Sequence, residues 1–349
     1  KKLFLGIIIL MINNKTGKYE MNKKGENKMK KAFIISMLLV LFITLAGCNI
    51  NKMFQDNTPT EKYQKLEGEE AYTEGDGTVN NPYVIDTKGK LIYLSNQTNE
   101  NKGQKAYYEL QADIDLEGIN WNPIKRFEGH FNGNGYEISN FVIKNKYQDR
   151  KYYTGLIGLF QTNYGTIKKL GVTNFDIDMT WKLKAIHINA GGITATNHGN
   201  IINCYAIGTI TIKLTNEVGD KNATNSDTHV GGIAGKNGGA SWEVGNITNC
   251  FAVVKCEDVS APEAFTYGIS NLGNIDNSVA PNQYYYINHY DPSSDVITPS
   301  RINVETEELS NKEFYLTKLN WDENIWDLND IEFVDDAYSS NHYPKLKRS

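Results

Sequence analysis

Two acidic residues, Asp113 and Asp115, are spaced so that they would lie side by side on one face of a strand. From Tyr108 to Leu116 the even-numbered residues are Tyr, Leu, Ala, Ile and Leu, and the odd-numbered ones are polar. This alternation predicts one strand with both carboxylates on its outer face, about 7 Å apart. Such a pair could be the acid and base of a glycosidase, could bind calcium, or could be a solvated face. Because no cluster of His, Arg or Lys is nearby in the sequence, we expect the solvated face.

The other residue types that commonly carry out catalysis are scattered along the chain. Six histidines show none of the spacings that bind a metal ion, and the glycines follow a repeat instead of forming a phosphate-binding loop. Apart from the two aspartates as weak calcium candidates, the sequence therefore predicts no metal site, no cofactor and no catalytic residue.

A repeat organises the middle of the chain. Each copy has an Asn four residues before an Ile, except that one copy has six extra residues between the two. The pairs are Asn134 and Ile138, Asn163 and Ile167, Asn197 and Ile201, Asn237 and Ile247, and Asn271 and Ile275. The mean period is roughly 34 residues, and a period of this size is typical of proteins built from stacked repeats.

Three positions in each copy stay apolar or small, so we predict that they face the interior. They are Ile138, Phe141 and Ile143; Ile167, Leu170 and Val172; Ile201, Cys204 and Ala206; Ile247, Cys250 and Ala252; and Ile275, Ser278 and Ala280. The first inward step is three residues and the second is two, whereas an unbroken strand would give two and two. A corner must therefore lie between the two steps.

The predicted corner positions are mostly asparagines. They are Asn140, Lys169, Asn203, Asn249 and Asn277. Asn tolerates a left-handed backbone better than other non-glycine residues, so we predict that backbone here, with the stacked amides forming a ladder. Gly158, Gly192 and Gly232 predict the other turn of each copy. Together these features predict an all-β fold, a right-handed parallel β-helix over residues 75–290 with a small α/β cap.

Two features of these copies resemble the GLUG repeat of bacterial surface proteins. One is the pair of runs Gly155-Leu156-Ile157-Gly158 and Gly232-Ile233-Ala234-Gly235, and the other is the pattern Asn-Ile-x-Asn-Cys-aromatic-Ala at 200–206 and 246–252. The segment 121–135 is similar to the coil that commonly precedes such repeats. The resemblance implies a solenoid on the cell surface with a binding or adhesion role.

Two tryptophans, Trp181 and Trp242, lie where the repeats are interrupted by extra residues. The interrupting segments are 180–189, 214–229 and 238–245. Exposed aromatic side chains are frequent stacking platforms for sugars and proteins, so we predict that these two residues bind a ligand. The alternative is that each Trp folds back on its own repeat.

Cys204 and Cys250 occupy the same position in consecutive copies. They would stack about 4.8 Å apart, one strand spacing. Parallel-stacked side chains suit a disulfide poorly, and burial as small apolar residues explains both cysteines, but a disulfide stays possible in an oxidising compartment.

The start of the chain predicts export and lipid attachment. Residues 29–48 read as a signal peptide with a short basic region, an apolar core of 13 residues and a final Leu-Ala-Gly-Cys. That ending resembles the lipobox of bacterial lipoproteins, which implies acylation of Cys48 and a membrane anchor on the extracellular face. The alternative is an uncleaved anchor. Residues 1–28 are interpreted as an upstream extension, and residues 49–74 as a polar linker.

Composition limits the choice of partner. Removal of residues 1–47 takes away nine Lys and two Glu, which leaves 27 basic and 39 acidic residues and a formal charge of −12. An acidic surface repels phosphate backbones, so nucleic acid is not an expected partner.

Both ends of the predicted β-helix have sequence features that predict a cap. Residues 90–94 predict a short capping helix, and residues 291–349 a C-terminal capping module. In that module the run Ser310 to Glu313 predicts a capping box that opens a helix, and Trp321 and Trp326 fit a closing core.

These observations lead to one expected function and two alternatives. We expect a lipid-anchored extracellular protein that binds a glycan, a host protein or a matrix protein and catalyses nothing. The first alternative is a carbohydrate-active β-helix enzyme, which would need carboxylates or basic groups converging on one face. The second is a structural envelope protein without a specific ligand.

Overall fold

The computed structural model describes residues 65–100, 105–144, 153–181, 185–214, 227–238, 244–257, 263–270, 273–280, 284–291, 296–304, 306–333 and 342–348. Side chains are not described for 153–154, 181, 185–187, 214, 227, 263–265, 284–291, 296–303 and 306. Cys48, Trp242 and the predicted signal peptide and linker up to residue 64 lie outside these residues.

Short strands make up most of the described chain. They are β1 (Tyr83–Ile85), β2 (Tyr107–Leu110), β3 (Ile114–Asp115), β4 (Ile124–Phe127), β5 (His130–Asn132), β6 (Glu137–Ser139), β7 (Val142–Lys144), β8 (Tyr153–Ile157), β9 (Phe160–Asn163), β10 (Thr166–Lys168), β11 (Gly171–Trp181), β12 (Ala185–Gly191), β13 (Thr194–Asn197), β14 (Asn200–Ile202), β15 (Tyr205–Leu214), β16 (Asp227–Gly231), β17 (Ala234–Asn237), β18 (Asn246–Thr248), β19 (Phe251–Glu257), β20 (Glu263–Tyr267), β21 (Asn274–Asp276), β22 (Tyr284–Asp291), β23 (Val296–Asn303), β24 (Trp326–Asp327) and β25 (Lys345–Leu346). The helices are α1 (Lys88–Asn99), α2 (Thr306–Leu309) and a π-helical segment (Phe314–Lys318).

Four sheets contain only parallel pairs. Sheet I has the order β1-β2-β5-β10-β14-β18-β21, and sheet II has β19-β15-β11-β6-β3 with β7 also paired to β11. Sheet III is β20-β16-β12-β8, and sheet IV is β17-β13-β9-β4. From β8 to β19 the chain passes through sheets III, IV, I and II in that order three times. We call each such pass a rung, and we use the same word for the incomplete passes before β8 and after β19. The predicted all-β class is confirmed.

The predicted inward row is buried throughout. Every one of its residues has a relative exposure of 3% or less, and the residue after each Ile is partly or fully exposed. Side chains from successive rungs form one continuous core. Each rung therefore buries its inner face against its neighbours, as expected of stacked repeats.

The alignment of the first copy with the later copies was predicted wrongly. In sheet I, Ile167 pairs with Phe131, and in sheet II, Val172 pairs with Ile138. The pair Asn134 and Ile138 is thus not equivalent to Asn163 and Ile167. Asn134 has a φ of 52° and Lys169 a φ of 49°, so Asn134 is a corner residue. It was taken for the first residue of a copy because that position is also Asn in the later copies.

The predicted left-handed backbone is confirmed. Asn140, Lys169, Asn203, Asn249 and Asn277 have φ values of 61°, 49°, 51°, 51° and 47°. The short polar side chain of Asn hydrogen-bonds locally and makes this conformation less costly than it is for most residues. Lys169, Asn203, Asn249 and Asn277 each follow a strand of sheet I and precede a residue paired in sheet II. Asn140 has the predicted backbone but lies within sheet II, between β6 and β7, so the corner predicted there was wrong.

Asparagine ladders are present, but they are made by other residues than the corner asparagines. Asn163 Nδ2 donates to Asn197 Oδ1, and Asn197 Nδ2 donates to Asn237 Oδ1, both over 2.8 Å. On sheet I, a second ladder joins Asn274, Asn246 and Asn200 over 2.8 and 3.0 Å. The ladder prediction for Asn203 and Asn249 was wrong, because their Oδ1 atoms are buried with no hydrogen-bond partner among the described residues.

The first ladder leads to a stability prediction. Asn197 is fully buried, and replacing it with Ala would remove the two side-chain hydrogen bonds that join it to Asn163 and Asn237. We expect Asn197→Ala to lower the free energy of unfolding by about 2–3 kcal/mol, because each lost hydrogen bond contributes about 0.5–1.5 kcal/mol. Urea unfolding should show a smaller loss for Asn200→Ala, whose ladder is partly exposed. Equal losses would contradict a special role for the buried ladder.

The glycines Gly158, Gly192 and Gly232 lie at the bend between sheet III and sheet IV, as predicted. Their backbone is not left-handed; the constraint is close approach. A Cβ at these positions would lie 2.6 Å from Gly191 O, 2.7 Å from Gly232 O and 2.1 Å from Gly268 O, respectively. Only glycine lets the bends stack at this spacing.

The N-terminal end of the stack is covered by α1. Thr87 caps this helix by accepting a hydrogen bond from Lys90 N over 3.2 Å, and Ser95 Oγ donates to Asn122 O over 2.7 Å. The helix contacts β1 and β4, the first strands of sheets I and IV. The capping helix predicted at 90–94 is confirmed with wider bounds.

The strand predicted over 108–116 is wrong in its length. The chain bends at Gln111 and Ala112, so that β2 joins sheet I and β3 joins sheet II. The alternation of buried and exposed residues continues across the bend. Because burial alternates on both sides of a corner, the sequence pattern alone did not show it.

The C-terminal residues pack along the side of the stack. Their aromatic and aliphatic side chains form a second core with Tyr205, Phe251, Val253 and Val279, which point outward from the strands. The capping-box prediction was wrong, because Ser310 Oγ accepts a hydrogen bond from Phe333 N instead of capping a helix. Asn311 Oδ1 accepts the bond from Glu313 N.

Candidate functional site

Asp113 and Asp115 lie at the start of sheet II, and both are exposed. Asp113 Oδ1 accepts a hydrogen bond from Glu137 N over 3.0 Å, and its Oδ2 pairs with the Arg348 guanidinium over 2.5 Å. Asp115 Oδ1 accepts hydrogen bonds from Asn140 Nδ2 and from its neighbour Glu117 N, both over 2.9 Å. The hydrogen bond from Asn140 is the largest cause that lowers the pKa of Asp115.

These contacts give the two carboxylates a structural role. A general acid needs a raised pKa, whereas the hydrogen bonds of Asp115 favour its ionised form. Among the residues that the structure describes, no group of three or more His, Cys, Asp or Glu side chains is placed to hold a metal ion. The calcium assignment to Asp113 and Asp115 stays a prediction.

The structure places Trp181 at the end of β11, where it pairs with Leu214 of β15. Part of the first two interrupting segments is therefore strand: β11 extends to Trp181, β12 begins at Ala185, β15 ends at Leu214, and β16 begins at Asp227. The remainder of these segments, 182–184, 215–226 and 239–243, lies outside the described residues and includes Trp242. Because Trp242 lies outside the described residues, the ligand-binding role of the two tryptophans stays a prediction.

The cysteines in the described part of the chain are free thiols. Cys204 and Cys250 are fully buried on adjacent rungs, and their Sγ atoms contact the carbonyl oxygens of Ile202 and Thr248 over 3.3 Å each. Burial raises the pKa of Cys250 well above its usual range and that of Cys256 to about 11. The thiols of Cys250 and Cys256 are therefore poor nucleophiles at neutral pH.

A polar and aromatic cluster on the side of sheet IV was not found from the sequence. Glu128 accepts from Arg126 Nε over 2.5 Å and from Lys105 Nζ over 3.0 Å, and the Arg126 guanidinium lies 4.2 Å from the centroid of the Tyr164 ring. Tyr164 stacks on His198 with 4.8 Å between ring centroids. The hydrogen bond from Arg126 lowers the pKa of Glu128.

In this cluster the Tyr164 ring is contacted by a cation and by a second ring. Tyr164 follows β9, Arg126 lies in β4 and His198 follows β13, and β4 and β13 flank β9 on opposite sides. Arg126 and His198 therefore cover the two faces of the Tyr164 ring. The sequence did contain a signal for the contact between Tyr164 and His198. Each lies between an Asn and a Gly, in Asn163-Tyr164-Gly165 and Asn197-His198-Gly199, so the two side chains occupy equivalent positions in consecutive copies.

Within the described ranges, no helix combines the length and the apolar character that crossing a bilayer would require. This observation concerns only residues from 65 onward, so it does not bear on the predicted signal peptide.

Two known proteins are similar in sequence to part of this chain. This chain is 34% identical over 139 residues to the "Putative Gly-rich membrane protein" of Evansella cellulosilytica, which corresponds to 37% of this chain and 15% of that protein. It is 31% identical over 176 residues to the "Halomucin" of Haloquadratum walsbyi, or 46% of this chain and 2% of that protein. The chain thus spans a small part of the length of these relatives.

A solved structure is similar over most of the chain at low identity. It is the crystal structure of a "putative immunoglobulin A1 protease" from Bacteroides ovatus, with a TM-score of 0.42 and 17% identity over 83% of this chain and 100% of that chain. A likeness at this level carries no argument about fold or activity.

The profile of the family described as the GLUG motif matches residues 226–256. This range contains β16, β17 and β18 and all but the last residue of β19, so it corresponds to one complete rung. It also includes Gly232, whose close backbone contact allows the bend between sheets III and IV. One rung of this chain is therefore similar to the GLUG motif.

Proposed function

We propose that this chain is an exported surface protein, held on the outer face of the membrane by a lipid on Cys48, that binds a ligand and catalyses no reaction. The observation that carries the proposal is the match between the GLUG motif and one complete rung. The name of one relative, a membrane protein, is consistent with a position at the membrane. A glycan, a host protein or a matrix protein is the class of ligand that we propose.

The rungs are proposed to wind as a right-handed parallel β-helix. Three successive passes through sheets III, IV, I and II in constant order support this arrangement, as does the single core that runs through the stack. A solenoid of this kind presents a long side surface on which insertions can vary without disturbing the core.

Lipid attachment is tested at Cys48. The apolar run before it is too short to span a bilayer and ends in Leu-Ala-Gly-Cys, so we expect acylation of its thiol. Growth with a labelled palmitate analogue should tag the wild-type protein and leave Cys48→Ala without label. Cys204→Ala serves as the matched control, because that buried thiol should not affect labelling. Equal labelling of wild type and Cys48→Ala would refute the anchor.

Ligand binding is tested at the two tryptophans of the interrupting segments. A soluble form comprising residues 49–349 would be screened against arrays of glycans and matrix proteins. We expect the double variant Trp181→Ala, Trp242→Ala to lose at least about tenfold in affinity for a positive glycan or protein, because aromatic residues dominate such interfaces. Its melting temperature should stay close to that of the wild type, since Trp181 is the last residue of β11 and strand ends contribute less to stability than strand centres.

A matched control for this screen is Tyr164→Ala, which removes an exposed aromatic side chain from sheet IV outside the interrupting segments. Affinity that is unchanged in the double variant and reduced in Tyr164→Ala would move the site to the side of the sheets. Turnover of a glycan by the wild-type protein would instead support the enzyme alternative.

A further inference from the structure

The C-terminal residues lie along one row of outward-facing positions on sheet II. The row is formed by equivalent residues on neighbouring strands: Asp113, Glu137, Gly171, Tyr205, Phe251 and Val279. It crosses the stack from its first rung to its last described one. We call residues 304–333 and 342–348, which contact this row, the C-terminal strap.

One end of the strap is held at the last described rung. Trp321 Nε1 donates a hydrogen bond to Asn277 O over 2.8 Å, next to the corner that leads to Val279. Trp321 is 3% exposed and stacks on Trp326 with 4.2 Å between ring centroids. This end is therefore fixed by a buried aromatic pair and a hydrogen bond to the backbone of the stack.

The middle of the strap packs on the aromatic residues of the row. The rings of Phe333 and Phe251 are 5.8 Å apart, and that of Trp326 is 6.2 Å from Tyr205. The ring of Tyr205 lies over Gly171, so closely that a Cβ on residue 171 would be 2.5 Å from the ring. The hydroxyl of Tyr205 donates a hydrogen bond to Glu137 Oε1 over 2.6 Å. Three adjacent strands of sheet II are thus linked by one side chain beneath the strap.

The other end of the strap reaches the first rung. Arg348 pairs with Asp113, and its guanidinium lies 4.9 Å from the centroid of the Tyr136 ring. Lys347 O approaches Gly135 so closely that a Cβ there would lie 2.4 Å away. Residues 235 positions apart in the sequence are therefore in contact at this end.

We propose that the C-terminal strap is a clamp that couples the first and last rungs of the stack, so that the end rungs do not open independently. In a stack where each rung contacts only its neighbours, the terminal rungs open most easily. A segment that is fixed at both ends changes this, because opening either end rung must also break its contacts with the strap. The inference does not depend on the proposed function.

Hydrogen exchange on the folded protein tests the clamp at both ends. The informative amides are Leu116 N, which donates to Ser139 O at the first rungs, and Val279 N, which donates to Cys250 O at the last. In Trp326→Ala, which removes a buried side chain from the middle of the strap, we expect exchange at both amides to become faster by about tenfold or more. Exchange at Ile201 N in the central rung should change least.

Two further variants make the result decisive. Arg348→Ala alters only the end at Asp113, so a clamp requires faster exchange at the distant Val279 N as well as at Leu116 N. Lys318→Ala, an exposed change on the same segment, should leave both rates unchanged. Changes confined to the strap, or to the rung next to each substitution, would overturn the proposal. Should Trp326→Ala fail to fold, Arg348→Ala still decides between the two outcomes.

Discussion

Ile201→Asp is expected to lower the free energy of unfolding by about 4 kcal/mol or more, enough to unfold much of the protein. Ile201 is fully buried between Ile167 and Ile247 on the adjacent rungs, so the carboxylate would have no water and no cationic partner there. Its neighbour Ile202 is partly exposed on the outer face, and Ile202→Asp should cost less than about 1 kcal/mol.

The comparison of these two variants isolates the direction of the side chain. They differ by one residue position and introduce the same charge, so solubility and composition are matched. Urea unfolding followed by circular dichroism measures both. Similar midpoints for Ile201→Asp and Ile202→Asp would mean that the assignment of inner and outer faces is wrong.

Gly192→Val should cause the second-largest loss, about 3 kcal/mol or more, because overpacking at a rigid site usually costs about 1–3 kcal/mol and here meets backbone. A Cβ at Gly192 would lie 2.7 Å from Gly232 O, 2.8 Å from Phe175 Cζ and 2.9 Å from Ala206 Cβ. A carbonyl in the next rung cannot move aside as a flexible side chain can. The same bend recurs at Gly158 and Gly232, so the strain would spread to adjacent rungs.

Gly118→Ala is the control for this variant. Gly118 has a φ of 80°, and a Cβ at this position would have no other atom within 4 Å, so its substitution tests the backbone preference without a clash. We expect a loss of about 1–2 kcal/mol from the left-handed conformation alone. Differential scanning calorimetry of both variants gives the comparison, and a milder effect for Gly192→Val than for Gly118→Ala would contradict the close-approach explanation.

The repeat could be predicted from the sequence because its signals are local. Whether Ile201 or Ile202 faces the core follows from side-chain alternation along a few residues. Whether Asn203 turns a corner follows from its own backbone preference. Both predictions agree with the structure, with Ile201 fully buried and Asn203 at a φ of 51°. The GLUG resemblance rested on the same local patterns and was confirmed at residues 226–256.

Errors arose where one residue type serves two positions. Asn is favoured at the left-handed corners and also in the ladders, so Asn134 was taken for the start of a repeat although it is a corner residue. For the same reason the ladder was assigned to Asn203 and Asn249, whereas Asn163, Asn197 and Asn237 form it. The recurrence of Asn in the repeats predicts that some asparagines stack, but only the register of the strands shows which ones meet.

The all-β class, the buried row and the corners of the repeat could all be predicted from the order of residues, because each depends on close neighbours along the chain. The pairing of Arg348 with Asp113, and the packing of Trp321 and Trp326 against a row on sheet II, became evident only in three dimensions. No local preference distinguishes a segment that covers the end of a stack from one that covers its side, since both need the same buried aromatic residues. Which face is covered depends on contacts between residues as far as 235 positions apart, and these exist only once the rungs have stacked.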